Sequence, residues 1–193
     1  MSDMRRVGAI ALVTVFVLCG VAGCSGSNQA APPTTRPSLV FGAGVPPVNN
    51  LGVCSVYPVP QMKALIGGGA NFRIQPPQAI GNKGDPVVGE SCSWSQSGGG
   101  NTGLILVLET RKWNDAAGLQ TQFTSLHSTT IGATDVIGLG DAAFTSQSPA
   151  TSLLQMRSGL YMLTYSSTVQ GNLTPISLAT LEGLARMALP KLR

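Results

Sequence analysis

The spacing of apolar residues divides the sequence into three parts. An almost unbroken apolar run covers residues 8–18, with Thr14 as the one polar residue inside it. Residues 24–50 are rich in Ser, Thr, Gly and Pro and too poor in apolar residues to form a core. Beyond them, apolar positions recur at the spacings of helices and strands. The pattern predicts a leading segment over 1–23, a disordered tether over 24–50 and a single α+β domain over 51–193.

Helical spacing occurs in three places within the domain. The first predicted helix covers residues 58–66 and ends at Gly67, a residue typical of helix C-termini. The second is expected to begin at Asn114 or Asp115, either of which is a favourable N-cap. Its predicted buried stripe consists of Ala116, Leu119, Phe123 and Leu126.

The last helix has clear predicted ends. Thr174 is its expected N-cap and Pro175 its first residue, a position where proline is favoured. Pro190 is expected to end it, because proline cannot continue the hydrogen-bond ladder. The predicted buried stripe consists of Leu178, Leu181, Ala185 and Ala188.

Alternating or β-branched residues predict strands between the helices. Residues 104–110 are strongly apolar and predict a central strand, while residues 91–96 alternate and place Cys92 and Trp94 on one face. A Pro/Gly loop is predicted over residues 76–89. The other predicted strands cover residues 72–75, 142–147, 152–157 and 160–166.

Short turns connect the predicted strands and favour antiparallel pairing. Residues 97–101 (Ser-Gly-Gly-Gly-Asn) have the composition of a hairpin turn, and Ser158-Gly159 is typical of a tight turn. The predicted fold class is α+β, with a twisted antiparallel sheet of about five strands and two to three helices packed largely on one face.

The leading segment has the composition of a secretory signal peptide. Arg5 and Arg6 supply the positive charge, and the apolar run is shorter than the roughly 20 residues of a transmembrane helix. Val21-Ala22-Gly23-Cys24 then resembles the lipobox of bacterial prolipoproteins. The resemblance implies cleavage before Cys24, an S-diacylglycerol and an N-acyl group on that residue, and attachment to the outer face of the cell membrane. An ordinary secretory signal followed by a chance cysteine is the alternative.

Charge and composition limit the classes of binding partner that the sequence supports. Only 10% of the residues are charged and the net charge is +4. The basic residues are scattered and not interleaved with aromatic residues, so nucleic-acid binding has no support. Low charge with abundant Gly, Ser and Thr fits an exported, β-rich domain. The membrane, through the lipid anchor, is the expected partner, and the oligomeric state is left open.

The four cysteines have different predicted fates. Cys19 leaves with the signal peptide and Cys24 carries the lipid. Cys54 and Cys92 remain as an even pair outside the membrane, where such a pair is typical of a structural disulfide. A redox pair or a metal site is the alternative, but redox pairs usually lie in Cys-x-x-Cys and zinc needs more ligands.

Catalytic motifs are scarce in the sequence. His127 is the only histidine, predicted at the end of the middle helix, and no Gly-x-Ser-x-Gly or Ser-x-x-Lys accompanies it. The seven carboxylates of the predicted mature chain form no close motif. Residues 138–143 match Gly-x-Gly-x-x-Ala but precede a predicted strand, so a turn in which Asp141 bonds nearby backbone amides is expected instead of a dinucleotide site. We predict no catalytic residue, no metal and no cofactor.

Three elements together resemble a known family. They are Cys54 before a short helix that ends at Gly67, Cys92-Ser93-Trp94 opening a hairpin, and residues 138–144 (Gly-Leu-Gly-Asp-Ala-Ala-Phe). In these elements the chain is similar, over about residues 50–190, to the exported domain of actinobacterial lipoproteins known as domain of unknown function 3558. The resemblance implies a Cys54–Cys92 bridge and an envelope location, and it implies no reaction.

The predicted function is that of a membrane-anchored envelope lipoprotein. Low charge, one-domain size and the lack of catalytic motifs favour a non-catalytic binding or accessory module for an envelope lipid, glycolipid or protein partner. One alternative is an envelope hydrolase that uses unmarked residues together with His127. Another is a structural spacer without a specific ligand.

Overall fold

The computed structural model describes residues 51–67, 71–98 and 102–192. The predicted signal peptide and tether, and with them Cys24, lie outside these residues. The described helices are α1 (Val59–Ile66), α2 (Ala116–Thr129) and α3 (Leu178–Ala188). The strands are β1 (Phe72–Ile80), β2 (Val87–Ser97), β3 (Gly103–Trp113), β4 (Thr134–Asp135), β5 (Ala142–Gln147), β6 (Thr151–Ser158) and β7 (Tyr161–Gln170). Short 3₁₀ turns cover Cys54–Val56 and Leu189–Lys191.

The strands form one open antiparallel sheet of seven strands in the order β1-β2-β3-β7-β6-β5-β4. The predicted α+β class with an antiparallel sheet is confirmed. Gly159 and Leu160 join β6 to β7, with Ser158 opposite Tyr161, as the tight-turn prediction requires. The N–H of Gly98 donates to the carbonyl of Thr102 where β2 turns into β3, although residues 99–101 lie outside the described chain.

The prediction of about five strands was too low. The loop predicted over residues 76–89 is too long. Only residues 81–86 connect the two strands, because β1 continues to Ile80 and β2 already begins at Val87. Pro76 and Pro77 lie in an irregularity of the β1–β2 register. Proline is tolerated there because β1 is an edge strand, with no partner on its outer side among the described residues. The two-residue strand β4 is too short to give a sequence pattern.

The helices divide between the two faces of the sheet. Helices α1 and α3 pack on one face, over a core that includes Trp94, Leu106 and Tyr165. Helix α2 packs on the opposite face, where Phe123 meets Phe144 at a ring-centroid distance of 5.4 Å. The prediction that helices pack largely on one face therefore holds for α1 and α3 and not for α2.

The start of α3 differs from the prediction. Ser177, not Thr174, is the N-cap, and its hydroxyl accepts the N–H of Thr180 at 3.3 Å. The helix begins three residues later than Pro175 because the N–H of Ile176 donates to the Ser167 hydroxyl of β7 at 3.0 Å. That bond holds the preceding segment against the sheet. Three residues of the predicted buried stripe are buried in the core: Leu181, Ala185 and Ala188.

Helix α2 follows its prediction more closely. Asp115 is the N-cap and accepts the N–H of Gly118 at 2.6 Å. Leu119 and Phe123 are buried as predicted, but Ala116 is exposed, so the buried stripe begins one turn later. No helix within the described residues is both long and apolar enough to cross a bilayer.

Candidate functional site

The predicted disulfide is present and fixes the start of the domain. Cys54 and Cys92, which are 38 positions apart in the sequence, are bonded, with their Cα atoms 5.9 Å apart. Closing a loop of that length stabilises a fold by about 3–4 kcal/mol in the chain-entropy model. The bond ties the segment before α1 to the buried side of β2.

A buried glutamate side chain also holds the segment before α1 in place. Glu90 is fully buried, and its Oε1 accepts the N–H of Val53 at 2.5 Å and that of Cys54 at 3.0 Å. Its Oε2 has no partner among the described residues, nor has the hydroxyl of Thr110, the residue opposite it in β3. A buried polar atom without a partner costs about 1–3 kcal/mol. The hydrogen bonds that Oε1 accepts from the two amides offset that cost.

An apolar cleft of about 290 Å³ opens beside the disulfide, between the segment before α1 and the edge strand β1. We call it the disulfide cleft. The residues that define it here are Cys54, Tyr57, Val59, Ile74, Cys92 and Trp94. Gly52, Ser55, Gln75 and Pro77 complete the lining, and none of these described residues is charged.

Aromatic and aliphatic side chains shape the disulfide cleft. Tyr57 and Trp94 meet edge to face, with ring centroids 5.7 Å apart, and both are buried. Ile74 lies opposite Trp94 in the β1–β2 register. Ile74 is 43% exposed and Val59 is 50% exposed. The cleft thus combines a rigid aromatic floor with an apolar rim open to solvent.

Tyr57 is also fixed from behind the cleft. Its hydroxyl lies 2.6 Å from that of Tyr165 and donates to the carbonyl of Leu184 in α3 at 3.1 Å. Burial raises the pKa of Tyr57 and that of Tyr165 well above the ordinary tyrosine value. Both phenols therefore stay neutral over the physiological pH range, and the cleft floor carries no charge.

A second cleft, of about 380 Å³, lies on the opposite face of the sheet beside α2. We call it the α2 cleft. Polar groups come from β3, β6, β7 and α2, and they are Glu109, Arg111, Gln122, Gln155 and Thr164. Val87, Trp113, Leu126 and Met162 supply the apolar part of the lining.

Three of these polar residues form a row across neighbouring strands. Glu109 is the Cα partner of Thr164, and Thr164 is the partner of Gln155. Neighbouring strands lie about 4.8 Å apart, so the row spans about 10 Å. Gln155 is only 6% exposed, and its amide Nε2 donates to the Thr164 hydroxyl at 3.4 Å. Its Oε1 has no partner among the described residues.

His127 takes the helix-end position that the sequence predicts. It lies in the last turn of α2, its Nε2 is 3.0 Å from Asp135 Oδ1, and its ring meets Phe144 edge to face at 5.0 Å. Within the described chain it has no hydrogen bond to a Ser, Thr or Cys side chain. The described residues also contain no group of three or more His, Cys, Asp or Glu side chains placed to hold a metal ion.

The turn at residues 138–143 is structural, as predicted. Asp141 Oδ2 accepts the N–H of Gly159 at 2.8 Å and lies 3.8 Å from Arg157 Nη1. Gly140 has a φ of +64°, and a Cβ there would lie 2.4 Å from the Arg157 carbonyl oxygen. The turn therefore needs glycine and ties the start of β5 to the β6–β7 connection.

Family models, curated proteins and solved structures were compared with the chain, and none of them matches it. The resemblance to domain of unknown function 3558 stays a prediction, as do the lipidation of Cys24 and the envelope location.

Sequence patterns located part of the candidate site. They placed Cys54, Cys92 and Trp94 correctly, but the roles of Glu90 and Tyr57 were missed. Glu90 could have been found from the alternation of β2, because it precedes Cys92 and Trp94 by two and four positions and so shares their buried face. The row on the opposite face depends on strand register, which no local pattern gives.

Proposed function

We propose that this chain is a lipid-anchored, extracytoplasmic binding module whose disulfide cleft takes an acyl chain of a membrane lipid. The observation that carries the proposal is the disulfide cleft itself. It has an aromatic floor of Tyr57 and Trp94, an exposed apolar rim of Val59 and Ile74, and no charge among its lining residues. Such a surface favours an uncharged apolar ligand over a peptide or an ion.

The disulfide cleft is large enough to hold part of an acyl chain. A volume of about 290 Å³ is near the lower end for small-molecule sites. Each buried methylene contributes about 0.8 kcal/mol, so about six methylenes give about 5 kcal/mol. That free energy corresponds to a dissociation constant in the submillimolar range. An affinity of this order is enough for a ligand concentrated in the adjacent membrane.

The predicted anchor supports a membrane source for the ligand. A tether of about 26 residues reaches roughly 25–30 Å on average as a coil. Gly52 and Cys54, which line the disulfide cleft, follow directly on the predicted tether. A diacylglycerol with an N-acyl chain on Cys24 brings more than one acyl chain, which is what stable attachment needs. The module would then remain within reach of bilayer lipids.

Intact-mass analysis of the full chain expressed in a lipoprotein-processing bacterium tests the anchor. We expect wild-type protein in the membrane fraction, starting at residue 24 and heavier by an S-diacylglycerol and an N-acyl group. Cys24→Ala should be recovered unlipidated, with its Cys54–Cys92 bond intact. Unmodified wild-type protein in the soluble fraction would contradict the anchor while leaving the acyl-binding cleft to be tested separately.

A further inference from the structure

We propose that the α2 cleft is a second binding site, specific for a neutral saccharide unit. It lies on the face of the sheet opposite the disulfide cleft and shares no lining residue with it. The inference therefore goes beyond the proposed acyl-chain binding and stands independently of it. Its basis is a set of convergent hydrogen-bonding groups next to an aromatic wall.

The strongest indication is the amide of Gln155. The residue is more than nine-tenths buried and lines the cleft, yet one end of its amide has no partner among the described residues. The oxygen and nitrogen of an amide are assigned from hydrogen bonding, but turning the group over still leaves one polar atom unpaired. Buried polar groups in folded proteins normally have partners. A ligand hydroxyl, which both donates and accepts, satisfies either orientation.

The neighbours of Gln155 extend this polar surface. Thr164 offers a hydroxyl beside it, and Glu109 lies one strand further along the same row. Arg111 donates to Glu109 through Nε at 3.2 Å and Nη2 at 2.8 Å, and both bonds go to Oε2. Glu109 Oε1 therefore remains as an acceptor. An acceptor, a hydroxyl and an amide along one row can each bond a different hydroxyl of a saccharide.

Charge and shape favour a neutral ligand. The carboxylate of Glu109 and the guanidinium of Arg111 neutralise each other, so the cleft carries no net charge. Trp113, Met162 and Leu126 provide an apolar side. A pyranose or furanose ring has C–H groups on its faces and hydroxyls on its edge, and it can satisfy both sides together. A zwitterionic amino acid fits less well, because it would have to break the Glu109–Arg111 ion pair.

The two tryptophans of the chain allow each cleft to be observed alone. Trp94 lines the disulfide cleft and Trp113 lines the α2 cleft. In the full chain with Trp94→Phe, emission reports Trp113 only. This variant is titrated with glucose, galactose, mannose, arabinose, N-acetylglucosamine and maltose, with glycine and alanine as zwitterionic comparisons. Isothermal calorimetry on the wild-type chain is the second measurement.

We expect at least one sugar to give a saturable change in Trp113 emission and a matching heat, and the amino acids to give neither. Gln155→Leu and Thr164→Val should each weaken that binding about tenfold, the effect of losing roughly one hydrogen bond. Thr168→Val is the matched control, since Thr168 is on the same face of the same strand but outside the α2 cleft. It should leave the affinity unchanged.

Three results would overturn the proposal. The first is no response to any of the sugars by either method in protein that unfolds cooperatively. The second is sugar binding that Thr164→Val and Gln155→Leu leave intact, or that Thr168→Val weakens equally. The third is binding of glycine or alanine without binding of a sugar.

Discussion

The phenolic oxygens of Tyr57 and Tyr165 lie 2.6 Å apart in the core, although 108 positions separate the two residues in the sequence. Tyr57 forms part of the floor of the disulfide cleft and Tyr165 lies in β7. Both hydroxyls also approach the carbonyl of Leu184 in α3, at 3.1 and 3.4 Å. The cleft floor is thus joined to the central sheet and the last helix by one buried hydrogen-bonded group.

This pair predicts a loss of stability at high pH. Burial raises the pKa of both phenols in the folded protein, whereas in the unfolded chain they ionise near pH 10. Above about pH 10 the folded state therefore holds more protons than the unfolded state, and the free energy of unfolding falls as the pH rises. Two retained protons give a slope of about 2.7 kcal/mol per pH unit, and the stabilisation is complete below pH 10.

Urea unfolding of the wild type and of Tyr57→Phe/Tyr165→Phe between about pH 8 and 11 measures this slope. The difference between the two proteins isolates the pair, because lysines that titrate in the same range are common to both. The double variant should lose most of the decline. Parallel stability curves would contradict the prediction.

Two glycines with nearly the same backbone conformation predict unequal costs of substitution. Gly140 has a φ of +64° and Gly159 a φ of +58°. Gly159→Ala should cost about 1–2 kcal/mol, the usual penalty of left-handed backbone with a side chain. Gly140→Ala should cost about 3–4 kcal/mol, because its Cβ would lie 2.4 Å from the Arg157 carbonyl oxygen, whereas nothing lies within 4 Å at Gly159. Chemical denaturation of both variants checks the order, and equal costs would show that the turn relaxes.

Glu90 predicts a graded effect on the start of the domain. Glu90→Ala removes the acceptor of the Val53 and Cys54 amides and should lower the free energy of unfolding by about 3 kcal/mol. Glu90→Gln keeps one carbonyl oxygen and should cost about half as much. Hydrogen exchange at Val53 and Cys54, measured with the disulfide intact, should accelerate in the same order. Wild-type exchange in Glu90→Ala would contradict the assigned role.

Local patterns predicted the elements more successfully than their ends or contacts. The Asp115 cap was predictable because its bond to Gly118 is local in sequence. The start of α3 was not, because the deciding bond comes from Ser167 of β7, nine positions before Ile176. The extension of β1 through Pro76 and Pro77 was missed since tolerance of proline depends on β1 being an edge strand.

In the candidate site, too, some features could be predicted from the sequence and others depend on tertiary contacts. The disulfide could be predicted from the number of cysteines together with the predicted extracytoplasmic location. The approach of Tyr57 to Tyr165 and the row of Glu109, Thr164 and Gln155 depend on strand order and register. Strand order and register are set by packing over the whole sheet. Local sequence patterns therefore do not indicate which residues come together to form the two clefts.

Titration of the Trp113→Phe chain with hexanol, an uncharged alcohol with an apolar chain, tests the central claim most directly. Trp94 is then the only tryptophan, and we predict a saturable change in its emission. Ile74→Asp should abolish the change, because Ile74 lies on the rim of the disulfide cleft. Ile105→Asp should leave it intact, because Ile105 is exposed to a similar extent, 48% against 43%, and lies outside that cleft. A response that never saturates, or that both substitutions remove equally, would contradict acyl-chain binding in the disulfide cleft.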